Sequence, residues 1–230
     1  MKTGLLILCC ILLGSYRQPR NTAYTANSAI QQPDIAASKK IVDTMVSVHD
    51  TTFVNLRDYS TGFVSDMKYA TTDNFLNTAV YECDDCYLRL RTVKALIRAN
   101  IAFIKMGYRI KLFDCYRPLS IQKNMWAIVN NPTYVADPAK GSIHNRGGAV
   151  DITLVDKEGN ELEMGTPFDH FGIESAHDYR GLTATVISNR QLLKRIMLQN
   201  GFESFRSEWW HYNINGGADY KVSDFRWQCN

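Results

Sequence analysis

Apolar residues recur through the middle of the chain with two distinct periods. In "LRLRTVKALIRANIAFIKMGY", Leu90, Val93, Ile97, Ile101 and Ile104 follow helical spacing, and Gly107 supplies a C-terminal stop. The following "YRIKLFD" alternates Ile110 and Leu112 with Arg109 and Lys111, which predicts a strand. Pro118 then biases Arg117 away from helical geometry and ends that strand in "CYRP". A second helix is predicted over Ser120 to Val129, with Ser120 as its cap. Farther on, Val150, Ile152 and Leu154 alternate with Asp151 and Thr153, so Asp151 faces away from the apolar side of a strand. "DKEGNE" reads as a hairpin-like turn. "NRQLLKRIMLQNG" predicts a third helix, with Leu192, Leu193, Ile196 and Met197 on one side and Gly201 at its end. "FESFRSEWWHYNI" is predicted as a final strand. Helices and strands mix without regular βαβ alternation, which predicts an α+β fold, a single domain with a mainly antiparallel sheet packed with helices.

The N-terminus departs from this pattern. Lys2, the apolar run "LLILCCILL" and the small and polar residues after it predict a secretory signal over residues 1–20. That run is far shorter than the roughly 20 residues of a membrane span. Cys9 and Cys10 are candidates for lipid attachment, although Leu8 or Cys9 precedes them where a small residue is usual. Residues 21–50, rich in Gln, Ser, Thr and Asn, read as an arm, and 51–230 as the folded domain. With 45% hydrophobic and 21% charged residues, the 230-residue chain can bury a core. A net charge of +3, with no basic block, argues against a nucleic-acid partner. Export places the four remaining cysteines, Cys83, Cys86, Cys115 and Cys229, in an oxidising compartment. Disulfides are the expected use, in one of three pairings; "CDDC" as half a zinc site lacks a second CxxC or CxxH.

Among the five histidines, His49, His144, His170, His177 and His211, candidate chemistry comes from company rather than from any one alone. His144 lies seven residues before Asp151, an odd separation that puts two side chains on opposite faces of an unbroken strand. Gly147 and Gly148 between them let the chain turn so that both converge. Two histidines and an aspartate form a donor set suited to Zn²⁺ with one position left for water. Glu208 bears a similar relation to His211: three residues apart, they meet only at a bend or strand end. A carboxylate beside such a ligand can take a proton from water. The competing reading is a turn of Gly, Asn and Arg with incidental polar residues.

"SIHNRGGAVD" fits S-x-H-x-x-G-x-A-x-D and "EWWH" fits E-x-x-H, and "KYATTDNF" and "DCYRP" precede them in order. On these motifs, residues 50 to 228 resemble the zinc D-alanyl-D-alanine dipeptidases of the vancomycin-resistance type, whose fold is shared with hedgehog-like D,D-peptidases. The resemblance implies one Zn²⁺ per chain held by His144, Asp151 and His211. It implies Glu208 as general base and later proton donor to the leaving amine, and Arg117 as hydrogen-bond donor to the scissile carbonyl oxygen. It further implies that Ser142 contacts the carboxylate of a small D,D-dipeptide, and that Tyr69 and Asp169 hold its ammonium.

The chain also departs from that family. "LNTAV" follows "DNF" where many relatives have glycine, Cys115 replaces a small residue, and "CDDC" is an addition. Pairing of Cys115 with Cys83 or Cys86 would clamp the Arg117 loop to the preceding helix. The leader moves the site to the periplasm, where cell-wall turnover, remodelling or antibiotic resistance would supply a role. The rival readings are a zinc D,D- or L,D-carboxypeptidase acting on peptidoglycan stems with a more open cleft, a non-catalytic zinc-stabilised binding domain, and an exported structural disulfide protein.

Overall fold

The computed structural model describes residues 48–132 and 134–229. The predicted leader with Cys9 and Cys10, and the predicted arm up to residue 47, lie outside the described residues. Chain order runs through β1 (Phe53–Asn55), β2 (Val64–Ser65), β3 (Tyr87–Arg89), α1 (Leu90–Ile104), β4 (Arg109–Asp114) and α2 (Leu119–Ile128). It continues with β5 (Ala149–Val155), α3 (Ala184–Gln199), β6 (Phe202–Ser204) and β7 (His211–Ile214). A five-stranded sheet has the order β2-β4-β5-β7-β6, and β1 pairs with β3 in a small second sheet. Only β2–β4 is parallel; the other pairings are antiparallel. This is the mixed α+β domain with a mainly antiparallel sheet that the sequence predicts. No helix among the described residues is long and apolar enough to cross a membrane.

The apolar stripe of α1 buries Leu90, Val93, Leu96, Ile97 and Phe103, whereas Ile101 and Ile104 lie at its half-buried margin. Asn100 sits within this buried face because both ends of its amide are used. Its Nδ2 donates to the Gly62 carbonyl at 2.9 Å, and its Oδ1 accepts from Ile110 N at 2.9 Å. Gly107 closes the helix with φ +88°, a left-handed conformation that glycine adopts without strain. Every residue of β5 is buried. The polar face carrying Asp151 is therefore shielded from water.

Three local expectations change. Helix α2 begins at Leu119, and Ser120 lies in its first turn instead of capping it. The caps come from the chain end: Leu119 N donates to the Ser223 carbonyl at 3.1 Å, and Ser120 N to Asp224 Oδ1 at 2.7 Å. Helix α3 starts earlier than its apolar pattern, at Ala184, because Thr183 caps it by accepting from Val186 N. The predicted final strand is instead two, β6 and β7, paired antiparallel around a turn. Phe205 N donates to the His211 carbonyl at 3.1 Å and closes that turn.

Gly147 carries the sharpest backbone requirement near this sheet. It has φ +73°, and a Cβ there would lie 2.5 Å from Phe53 Cε1. Gly147→Ala should destabilise the fold by roughly 2 kcal/mol, from left-handed strain plus overpacking. A lowered midpoint in chemical denaturation would show this, and an unchanged midpoint would contradict it.

Candidate active site

The β5–β7 register sets Asp151 opposite His211, and directly opposed residues share a face of the sheet. His144 enters from a short 3-10 turn, His144–Arg146, that Gly147 terminates in the left-handed conformation. This turn overcomes the odd spacing between His144 and Asp151. His211 Nδ1 lies 3.0 Å from Asp151 Oδ1, and His144 Nε2 lies 3.3 Å from Asp151 Oδ2. The two ring nitrogens face each other at 3.1 Å. The three ligand atoms fall within 4.8 Å of one another.

The outward nitrogens explain this orientation. His144 Nδ1 is 2.7 Å from the Cys115 carbonyl, which can only accept, and His211 Nε2 is 2.8 Å from Asn213 Oδ1. Each outward nitrogen thus carries a proton, and the inward nitrogens face the Asp151 carboxylate, an arrangement that calls for a proton or a cation between them. Such a set fits a divalent cation, with carbonyl and amide partners fixing the ligands from behind. Without the cation, burial works against a charge on His211, but Asp151 and then Glu208 hold its pKa up at about 8. Asp151 is buried, yet the two histidines keep its carboxyl below the ordinary range.

Glu208 occupies the turn between β6 and β7, with Oε2 3.9 Å from His211 Nδ1. The break in the predicted strand is what brings these two side chains together. Burial raises the Glu208 pKa, with His211 opposing the rise. Trp209 and Trp210 flank this turn from within the core, and Trp209 Nε1 donates to Thr166 Oγ1 at 2.8 Å.

Arg117 is buried, with Nη2 2.6 Å from Asp114 Oδ2 and Nη1 donating to Gln122 Oε1 at 3.0 Å. Its Nε is buried with no hydrogen-bond partner among the described residues. Burial opposes the guanidinium charge, but Asp114 and then Tyr81, Tyr69 and Asp151 together outweigh it and raise the pKa. Asp114 also accepts from the Tyr81 hydroxyl at 2.7 Å and lies 3.5 Å from His144 Nδ1, so one buried carboxylate joins the arginine to the histidine pair.

The Tyr69 hydroxyl donates to Asp169 Oδ2 at 2.9 Å, and the Arg117 guanidinium lies 5.0 Å from the Tyr69 ring centroid. Burial, and then the charge of Asp151, raise the Asp169 pKa. Asp169 has φ +57°, an unusual conformation outside glycine. Ser142 is half-buried and trades hydrogen bonds with Asn145: its N donates to Asn145 Oδ1 at 2.7 Å, and its Oγ accepts from Asn145 N at 3.4 Å. Disulfides join Cys86 to Cys115 and Cys83 to Cys229. His49, His170 and His177 stay outside the cluster: His49 contacts Thr51, and His170 pairs with Glu174.

Sequence reasoning passed over Asp114, Gln122, Asn145, Asn213 and Tyr81. Asp114 stood in "DCYRP", three residues from Arg117, and Asn213 shares a strand face with His211. Tyr81 reaches Asp114 across 33 residues and left no local signal.

Comparison with known proteins bears on this geometry. The sequence profile of the peptidase M15 family described as "D-ala-D-ala dipeptidase" matches residues 49–228. A D-alanyl-D-alanine dipeptidase of Escherichia coli K12 is 35% identical over 165 residues, covering 71% of this chain and 85% of its own. Proteins of the same name from Enterococcus faecalis V583 and Enterococcus faecium are 32% and 34% identical, covering 70% and 64% of this chain and 91% and 83% of theirs.

The cluster should take up one divalent ion per chain, measured by equilibrium dialysis. Asn213→Ala should weaken that uptake about 10-fold, the low end for removing a ligand's supporting partner. Because His211 holds its proton up to about pH 8, affinity should fall as pH drops below that value. Ion uptake unchanged by Asn213→Ala would contradict the assignment of His211 Nδ1 as the ligand atom.

Proposed function

This chain belongs to the D-Ala-D-Ala dipeptidase family of peptidase M15, and from that premise we propose that it hydrolyses free D-alanyl-D-alanine to two D-alanines at the cluster of His144, Asp151 and His211. The supporting observation is the convergence of two inward-facing ring nitrogens and a carboxylate beside a half-buried carboxyl group, Glu208, and a buried guanidinium, Arg117. His144 Nε2, His211 Nδ1 and Asp151 would hold one zinc ion, a nitrogen and oxygen set that leaves a fourth position open. When bound, zinc supplies Lewis acidity, making water a competent nucleophile near neutral pH.

Glu208 takes the proton from the attacking water and later delivers it to the leaving amine. Burial raises its pKa toward the working pH, where a carboxyl group can do both. Arg117 donates to the carbonyl oxygen as negative charge develops there. Asp114 and Gln122 hold the guanidinium in advance, so little reorganisation is needed during reaction.

Asp169 and Tyr69 receive the substrate ammonium, and Ser142 its carboxylate. A half-buried carboxyl with a raised pKa is costly to ionise alone, and an arriving ammonium offsets that cost. A longer peptide, lacking the ammonium at this position, would leave Asp169 unpaired, which favours the free dipeptide. The leader and the disulfides support a setting outside the cytoplasm, in turnover or remodelling of cell-wall peptides.

Glu208→Gln should lower kcat by about 10²–10⁴-fold, the usual contribution of a general base. Arg117→Ala should lower it by about 10²–10³-fold. Asp169→Asn should raise KM for the dipeptide more than it lowers kcat. Release of D-alanine from free dipeptide, compared with release from a stem pentapeptide, decides between dipeptidase and carboxypeptidase. Strong pentapeptide turnover would reject the dipeptidase reading, and full activity after exhaustive chelation would reject the zinc assignment.

A further inference from the structure

The Cys-Asp-Asp-Cys segment at residues 83–86 takes no part in the proposed chemistry, yet both of its cysteines are tied to elements that carry it. Cys86 is bonded to Cys115, which is fully buried. The Cys115 carbonyl receives His144 Nδ1 at 2.7 Å, and its amide donates to Asp114 Oδ1 at 2.9 Å. The next residue, Tyr116, donates its amide to the Tyr87 carbonyl at 3.0 Å. The covalent link therefore anchors the backbone between Asp114 and Arg117 to the strand that follows the segment.

Cys83 is bonded to Cys229, at the end of a chain segment that crosses the same elements. Ser223 N donates to the Asn145 carbonyl at 2.8 Å, in the turn that carries His144. The Ser223 carbonyl and Asp224 Oδ1 cap the helix that follows Arg117, at 3.1 Å and 2.7 Å. The Tyr116 hydroxyl donates to the Phe225 carbonyl at 3.1 Å. Trp227 stacks on Tyr87 with centroids 5.0 Å apart and donates Nε1 to Cys83 Sγ at 3.3 Å. One strap thus touches the His144 turn on one side and the Arg117 turn on the other.

We propose that the two disulfides form one positioning device: Cys86–Cys115 fastens the Arg117 turn and Cys83–Cys229 fastens the strap, and together they hold the His144 turn and the Arg117 turn in fixed relation, so that ion retention and turnover depend on them. The proposal rests on the metal reading above. A ligand's supporting contacts must be rigid to orient it, and here the support of His144 is a backbone carbonyl whose own residue is covalently fastened. A purely structural role makes a different expectation: disulfides that only oppose unfolding change the melting temperature and leave the folded site unaltered.

The test uses the full chain. Cys83→Ser with Cys229→Ser releases the strap while leaving Cys86–Cys115 intact. Asp224→Ala removes the acceptor over Ser120, and Asp224→Asn retains one. Zinc affinity is read by chelator competition, ligand geometry by the absorption spectrum of the cobalt-loaded protein, and turnover as separate kcat and KM for the dipeptide, all well below the melting temperature. In the double variant, zinc affinity and kcat should each fall about 10-fold, with an altered cobalt spectrum and KM within about twofold of the parent. Asp224→Ala should move the same quantities in the same direction by a smaller factor, and Asp224→Asn should restore them. If only the melting temperature falls, with affinity, spectrum and kcat unchanged, the positioning role is overturned and the metal reading stands. If the parent chain binds no ion, both are overturned. Should the double variant not fold, the Asp224 pair decides: equal affinity and kcat in both overturns the proposal.

Discussion

Asp151 and His211 stand opposite one another on β5 and β7, and the geometry of the site depends on that pairing. Side chains alternate faces with a period of two, so a slip of one residue would turn one of them to the other face. The register is held by the apolar residues of the opposite face: Val150 pairs with Tyr212, both fully buried, next to the functional pair. Packing on one side of the sheet thereby determines chemistry on the other. His144 joins from outside the ladder because Gly147 permits a left-handed turn at the strand's start.

A second constraint is electrostatic. Arg117 and Asp114 are both buried, and neither charge would be tolerable alone in that position. Asp114 spreads its acceptor capacity over Tyr81, Arg117 and its own neighbouring amide, and lies within reach of His144. The arginine is consequently charged and oriented by Asp114 and Gln122. The same low-dielectric surroundings raise the pKa values of Glu208 and Asp169, two acids without a cationic partner at hydrogen-bond distance. The carboxyl groups are thus divided by surroundings: Asp151 and Asp114 face cations or histidines, while Glu208 and Asp169 have raised pKa values that suit the proton and ammonium roles of the proposed function.

Asp151 and His211 belong to the sheet itself, and the other candidate groups cluster where regularity ends. Glu208 sits in the β6–β7 turn, His144 in a single 3-10 turn, Arg117 in the link between β4 and α2, and Asp169 in a left-handed residue. Strand ends allow side chains from distant parts of the sequence to meet, which a flat ladder does not.

The sequence by itself determined the period-coded elements: α1 with its stop at Gly107, β4, β5 and the α+β class. It also determined the donor types, because "SIHNRGGAVD" and "EWWH" carry two histidines and two acids with glycines at the turn. These features were legible because helical and strand periods, and glycine's conformational freedom, act between near neighbours. The tertiary structure alone decided the split of the last strand into β6 and β7, the capping of α2 by Asp224 instead of Ser120, and the partners chosen by Cys83 and Cys86. It alone joined Tyr81 to Asp114, 33 residues apart, and it showed the direct hydrogen bond between Tyr69 and Asp169, 100 residues apart, which the resemblance had paired only through a shared ligand. Such contacts arise when buried polar groups must find partners within a packed core, and which groups arrive together is set by strand order and register rather than by adjacency in the chain.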